Sequence, residues 1–207
     1  MKLYIIRHCQ TDGNAAFRLQ GQGFPGILTP RGQKQLAALK RFFSHERIQT
    51  IYSSPLHRAM QTATGIGQRT PVVRDELKEI DFGTIEGHSH EEAKLGEPDL
   101  FDEIFDDPQK RFPGGESLQD VQNRLRPLVK QLQSQKGNPT VVIVGHNILN
   151  RVLLATLLGL PLEYCRMFKL KNASIAEVDA NPKHRRLYLL HNGFASIGKE
   201  KKNPRKK

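Results

Sequence analysis

Cysteine is scarce. The 207 residues contain two, Cys9 and Cys165, too few for a framework of several bridges, so the expected compartment is a reducing one, the cytoplasm. Long apolar runs are missing as well: no stretch approaches the ~18 residues that a membrane-spanning helix needs. The apolar stretch that follows Lys2, from Leu3 to Ile6, stops at Arg7 and His8, too soon for the hydrophobic region of an export signal. Internal repeats are absent, and the C-terminal stretch is the one low-complexity tract. With 37% hydrophobic residues, 12 prolines and 17 glycines, the composition excludes disordered, collagen-like and membrane-spanning classes. The length favours one domain that buries roughly 70% of its unfolded surface. The expected boundaries are 1–198 for that domain and 199–207 for a basic, disordered tail.

The formal net charge is +11, and its distribution decides its meaning. Residues 199–207 (KEKKNPRKK) carry +5, which leaves +6 for the first 198. An acidic block runs the other way, with Glu97, Asp99, Asp102, Glu103, Asp106 and Asp107 crowded into one short segment. No aromatic residue interleaves the basic tail and no RNA-binding signature occurs, so no nucleic-acid partner is expected, and no membrane partner either.

Two continuous apolar runs, Leu3 to Ile6 (LYII) and Thr140 to Val144 (TVVIV), suit strands buried on both faces of a parallel sheet. Ile48 to Tyr52 is a third strand candidate and Leu187 to Leu190 a fourth. Helical patterns cover Pro30 to Phe43, Pro55 to Ile66, Ser117 to Gln135 and Ile148 to Leu158, with Thr29-Pro30 and Ser54-Pro55 as N-cap and first-turn pairs. Strands alternating with helices predict an α/β fold, a three-layer αβα sandwich on a mostly parallel central sheet. The 84–117 stretch reads as an irregular insertion over one end of that sheet.

Ligands of open α/β sheets bind outside the carboxyl ends of the strands. Arg7-His8 follows the first apolar run, Ser53 to Arg58 follows the third, and Gly145-His146-Asn147 follows the TVVIV run. Two arginines and two histidines are thereby delivered to one crevice, where a closing core has little use for them. Guanidinium groups offer planar paired donors to phosphate oxygens, though carboxylate or sulfate would satisfy the same donors. A protonating acid is also needed if an ester is to be cleaved. Glu76, Glu79, Asp81 and Glu86 are equally eligible on sequence grounds.

The run Arg7-His8-Cys9-Gln10-Thr11-Asp12-Gly13-Asn14, then Leu19-Gln20-Gly21, Ser53 to Ala59, Leu77-Lys78-Glu79, Phe82-Gly83, Glu86-Gly87, Pro113 to Ser117 and Gly145-His146, resembles the histidine phosphatase superfamily in its phosphoglycerate-mutase-like branch. The resemblance runs from Lys2 to about Asp179. It implies that His8 is a nucleophile forming a phosphohistidine, that Arg7, Arg58 and His146 clamp the phosphoryl oxygens, and that Glu79 donates and accepts the proton. It further implies phosphate contacts from Asn14, Gln20 and Asn147, with no cofactor and no metal, since the histidines lack ligand spacing. Cys9 and Gln10 stand where the family usually has Gly and often Glu. Cys9 is expected to be a small buried residue with an ordinary φ; a redox-sensitive thiol is the alternative. The Gln22 to Gly26 loop replaces a stretch that often carries Asp.

The expected reaction is hydrolysis of a small phosphomonoester to inorganic phosphate by a monomer or homodimer. Only about 30 residues separate the acid region from Pro113-Gly114-Gly115, and loops over the site are where water exclusion would be built; a mutase resembling this chain typically has a larger insertion there. A cofactor-dependent phosphoglycerate mutase is the alternative, and a non-catalytic phosphate-ligand binding or interaction protein the third. α-Ribazole phosphate, phosphoglycerates, sugar phosphates and phosphoserine are the substrates the resemblance brings.

Overall fold

The structure, a computed structural model, describes residues 1–96 and 98–196; the basic stretch 199–207 lies outside them. In chain order the elements are β1 (Lys2–Arg7), α1 (Asp12–Ala15), α2 (Pro30–Phe42), β2 (Thr50–Ser53), α3 (His57–Ile66), β3 (Val72–Val73), α4 (His90–Gly96), α5 (Leu100–Asp106), α6 (Leu118–Ser134), β4 (Thr140–Gly145), α7 (Asn147–Leu158), β5 (Ile175–Asp179) and β6 (Arg186–His191). One sheet runs in the order β3-β2-β4-β1-β5-β6. β3, β2, β4 and β1 are mutually parallel, while β5 and β6 add antiparallel strands beyond β1.

The two apolar runs form the centre of this sheet because alternate residues bury on opposite faces. Leu3, Ile5, Val141 and Ile143 pack with α6 and α7, whereas Tyr4, Ile6, Val142 and Val144 pack with α2 and α3. Helix α6 turns a stripe of Leu118, Val121, Leu125, Leu128, Val129 and Leu132 inward, each worth about 1.5–3 kcal/mol on burial. Its start is fixed by a reciprocal cap between Ser117 and Asp120. Thr29 caps α2 through the Gly32 N–H at 3.0 Å, with Pro30 in the first turn.

Three expectations need correction. Ser54-Pro55 does not start a helix: α3 begins at His57 with Leu56 as its N-cap, and the Ser54 hydroxyl instead accepts the Leu56 N–H at 3.2 Å in the preceding turn. The third strand starts at Thr50, and Ile48 belongs to the core ahead of it. The 84–117 insertion is not irregular throughout, since α4 and α5, of seven residues each, lie within it. α5 buries Leu100 and Ile104, and Phe101 packs on Phe112 with ring centres 5.5 Å apart. The acidic block finds basic partners, Asp106 the distant Arg166 and Glu103 the nearby Lys110. Strands β3 and β5 carry no apolar run of their own; long-range pairing makes them strands.

β4 lies between β1 and β2, so the chain leaves β1, passes over that position, and returns to it later. Such a crossover opens a crevice at the carboxyl ends of the strands.

Candidate active site

Parallel register sets the site. Arg7 pairs with Gly145 and Ser53 with Val144. The His8 N–H donates to the Gly145 carbonyl at 3.0 Å and the Ser54 N–H to the Val144 carbonyl at 3.1 Å. His8, Ser54 and His146 therefore emerge side by side, and the His8 and His146 rings stand 5.3 Å apart. A cavity of about 430 Å³ opens there, and Arg7, His8, Asn14, Gln20, Arg58, Glu79 and Asn147 line it. His146 is fully buried and does not line the cavity.

The His8 ring is held in one tautomer. Its Nδ1 lies 2.8 Å from the Cys9 carbonyl, which can only accept, so Nδ1 carries the hydrogen and Nε2 keeps a lone pair. Burial, reinforced by the Arg58 and Arg7 charges, holds the His8 pKa well below 6.5. The same causes, burial first, keep His146 neutral. A neutral, fixed imidazole is what nucleophilic attack requires.

Both arginines are anchored by carbonyl oxygens rather than carboxylates. Arg7 Nη1 donates to the Leu170 carbonyl at 2.7 Å. Arg58 is 1% exposed, and its Nη atoms donate to the carbonyls of Gln20, Gly21 and Phe24 at 2.5–2.7 Å. The 20–24 stretch thus holds Arg58, with Phe24 as the one such contact from the Gln22 to Gly26 loop. Gly26 fits there because its φ is +62° and a Cβ would stand 3.2 Å from Arg58 Cδ. Burial lowers the pKa of both guanidiniums to about 10, so both stay charged at neutral pH. Arg7 Nε, Arg58 Nε, Gln20 Nε2 and His146 Nδ1 are buried without a hydrogen-bond partner among the described residues. Buried polar atoms are rarely left unpaired; Arg7, Arg58 and Gln20 line the cavity with His8, and the His146 ring stands 5.3 Å from that of His8.

Gln20 is oriented by the Thr11 hydroxyl, which donates to its Oε1 at 2.7 Å. Asn14 Oδ1 accepts from Asn172 Nδ2 at 2.9 Å, and Asn172 also reaches the His8 carbonyl at 3.2 Å. Among the acid candidates, Glu76 pairs with Arg74, and Glu86 accepts the Gln22 and Gly23 N–H groups. Asp81 accepts from Gly83 N–H. Only Glu79 of the four lines the cavity. Its Oε2 accepts the N–H groups of Asn147 (2.9 Å) and Ile148 (3.2 Å), and its Oε1 those of Leu149 (2.9 Å) and Ile80 (3.1 Å). Glu79 therefore caps α7 from another part of the chain, because the N-cap residue His146 makes no side-chain cap bond. The Glu79 carbonyl is itself held by Arg124 Nη2 at 3.1 Å, and Arg124 is paired with Glu116 at 2.9 Å. The Pro-Gly-Gly-Glu-Ser stretch thereby positions the acid from behind.

Cys9 has the ordinary φ expected of it and is fully buried. Burial pushes its thiol up to about 12, which leaves no thiolate for redox chemistry at neutral pH. Sequence reasoning missed Ser54, whose Oγ is 2.8 Å from His146 Nε2, and Asn172. It also missed Arg18, Lys94 and Arg151, which line the outer cavity. Arg151 was within reach, since it lies one helical turn after Asn147.

A neutral histidine of fixed tautomer, sharing a cavity with two buried arginines and a glutamine, makes a phosphate-binding type of site on an α/β scaffold. The model of the histidine phosphatase superfamily (branch 1) matches residues 3–193, and the chain belongs to that family. Among its relatives, phosphoserine phosphatase 1 of Hydrogenobacter thermophilus is 35% identical over 86% of this chain and 86% of that protein. The "Probable phosphoglycerate mutase GpmB" of Proteus mirabilis is 33% identical over 86% and 85%. A mycobacterial glucosyl-3-phosphoglycerate phosphatase solved with VO3 superposes with a TM-score of 0.79 at 32% identity, covering 86% of this chain and 92% of that one. No described helix is long and apolar enough to cross a membrane.

Proposed function

We propose that this protein hydrolyses a small-molecule phosphomonoester without a metal, through a phosphohistidine on His8. The observation that carries the reading is the fixed tautomer of His8, in a cavity that it lines together with Arg7, Arg58 and Gln20, each of which keeps a buried nitrogen without a partner among the described residues. Glu79 takes up a proton as the phosphate dianion binds; Nε2 then attacks phosphorus while the ester P–O bond breaks, and the leaving oxygen takes that proton from Glu79. Water then attacks the phosphohistidine, giving its proton to Glu79, and the P–N electrons return to Nε2. Arg7, Arg58, Gln20 and His146 hold the non-bridging oxygens throughout, so that positioning and fixed charge supply the catalysis. Asn14 and Asn147 flank the phosphoryl group. The Ser54 hydroxyl, 2.8 Å from His146 Nε2, orients the ring, and in the tautomer where Ser54 donates, Nδ1–H is the donor to the phosphoryl group. The enzyme acts in the cytoplasm as a monomer or homodimer.

Phosphate release from a panel of monoesters, with chelator present and with His8→Ala alongside, tests the reading. Chelator-resistant release that vanishes in His8→Ala is expected; release that survives the substitution overturns it. Including phosphoglycerate with bisphosphoglycerate separates the reactions, since isomer formed in preference to free phosphate marks a mutase.

A further inference from the structure

Helix α1 ends on a residue that local physics does not favour. Past its last residue, Ala15, the Arg18 N–H donates to the Gly13 carbonyl at 2.8 Å and the Phe17 N–H to the Asn14 carbonyl at 3.3 Å. This pair of bonds closes a helix through one residue in the left-handed region, a position usually given to Gly and sometimes to Asn. Here it is Phe17, at φ +56°. An L side chain costs about 1–2 kcal/mol there, because its Cβ crowds the following carbonyl, and a bulky one is a rare occupant.

Burial does not offset that cost, since Phe17 is 75% exposed. The chain beyond it is anchored without the ring: Arg18 Nη1 donates to the Gly87 carbonyl at 2.6 Å, the Leu19 N–H to the His88 carbonyl at 2.8 Å and the Gly87 N–H to the Leu19 carbonyl at 2.9 Å. Glycine or asparagine would serve the turn better. Backbone strain of this kind clusters at ligand clamps and active sites, and Phe17 lines the cavity that holds His8. It also lines a neighbouring pocket of about 530 Å³, with Gln10 and Lys171, so the ring stands at a lip open on two sides. Phe82, Phe101 and Phe105 make the inner wall of the His8 cavity aromatic too; they are buried or half-buried, and of the four only Phe17 is exposed.

We propose that Phe17 is a specificity-determining residue whose ring stacks on a planar aromatic group in the alcohol half of the substrate while the phosphoryl group sits at His8. Offset stacking of two rings gains more than apolar contact alone, which favours a planar group over an aliphatic one of the same size. This inference rests on the phosphatase reading above and adds a substrate class to it: phosphomonoesters whose alcohol carries an aromatic ring.

Matched esters test it. Benzyl phosphate and cyclohexylmethyl phosphate share a primary-alcohol leaving group and a six-membered ring; 2-naphthylmethyl phosphate and its decahydro counterpart carry the same contrast further from phosphorus. In the wild-type protein kcat/KM should favour the aromatic member of one or both pairs by about fivefold or more, the scale of one ring pair. Phe17→Asn and Phe17→Gly should bring that ratio below about twofold, and Phe17→Trp should keep it. The Asn and Gly variants should melt no lower than wild type, and Phe17→Asn about 2–4 °C higher, because strain is relieved and no burial is lost. Selectivity lost at undiminished stability is a result that a structural role for the ring would not give. Equal turnover within both pairs, ratios unchanged in Phe17→Asn, or a Tm lowered by more than about 2 °C in both the Asn and Gly variants overturns the inference. Phosphate release that depends on His8 but ignores the aromatic ring overturns the inference alone; absent or His8-independent release from all four esters overturns the phosphatase reading, and the inference with it.

Discussion

Replacing Glu79 by glutamine separates two jobs that the structure gives one side chain. Its carboxylate accepts four backbone N–H groups, three of them at the start of α7, and the residue is only 6% exposed. Glutamine keeps one oxygen and places an NH2 group against the remaining two donors. Two buried donors left unpaired cost about 1–3 kcal/mol each, and removing a negative charge from a helix N-terminus adds roughly 0.5–1 kcal/mol. The expected destabilisation of Glu79→Gln is about 3–5 kcal/mol, which for a chain of this size lowers Tm by roughly 10 °C. Thermal melts followed by circular dichroism measure it. Kinetics at 15 °C, where the variant remains folded, then isolate the chemistry. An alkyl phosphate needs its leaving oxygen protonated and should lose about 100-fold in kcat, whereas p-nitrophenyl phosphate, with its stable leaving anion, should lose only several-fold. A Tm within about 2 °C of wild type, below the ~1 kcal/mol scale, would refute the capping argument. An equal loss on both esters would refute the proton-transfer role.

The histidine pKa directions give a pH prediction. His8 and His146 are held neutral well below 6.5 by burial, so below pH 6.5 the unfolded chain binds protons that the folded chain refuses. Stability should therefore be full above pH 6.5 and decline as pH falls below it, visible as a falling Tm between pH 7 and 5 in phosphate-free buffer; a Tm that rises over this interval contradicts the assignment. Because His8 remains unprotonated, the acid limb of kcat/KM should track the second ionisation of the substrate, about pH 6 for a phosphomonoester, and should move when the ester's own pKa is changed. A third expectation concerns Glu116, which touches no cavity atom but pairs with Arg124 behind Glu79. Glu116→Ala should lower kcat on alkyl phosphates by about tenfold with little change in KM, the pattern of a lost transition-state interaction, while p-nitrophenyl phosphate turnover changes less; a matching loss on both esters would place Glu116 in folding alone.

Much of the site was legible because local sequence and sheet geometry agree. β1 and β4 are buried on both faces, so they had to be continuous apolar runs, and the polar pairs that end them had to lie at the crevice. That logic reached His8, Arg7 and His146 without any knowledge of neighbours. Arg58 came from the same logic at the end of β2, although the helix that carries it begins later than its Ser-Pro signal suggests. Glu79 was different: four carboxylates were equivalent as sequence, and the resemblance chose among them.

The sequence by itself determined the alternating architecture, the strand ends that meet at the crevice, and the presence of cationic and imidazole groups there. Only the tertiary structure decided their chemical states and their supports. The neutral tautomer of His8 depends on the Cys9 carbonyl and on burial; His146 is oriented by Ser54, distant in sequence; and Glu79 is fixed by N–H groups of a helix nearly 70 residues away. Strand and helix patterns are written into neighbouring residues because burial repeats with the backbone period. Protonation, tautomer and charge balance depend on which buried groups face one another across the fold, and the chain acquires those neighbours only by folding.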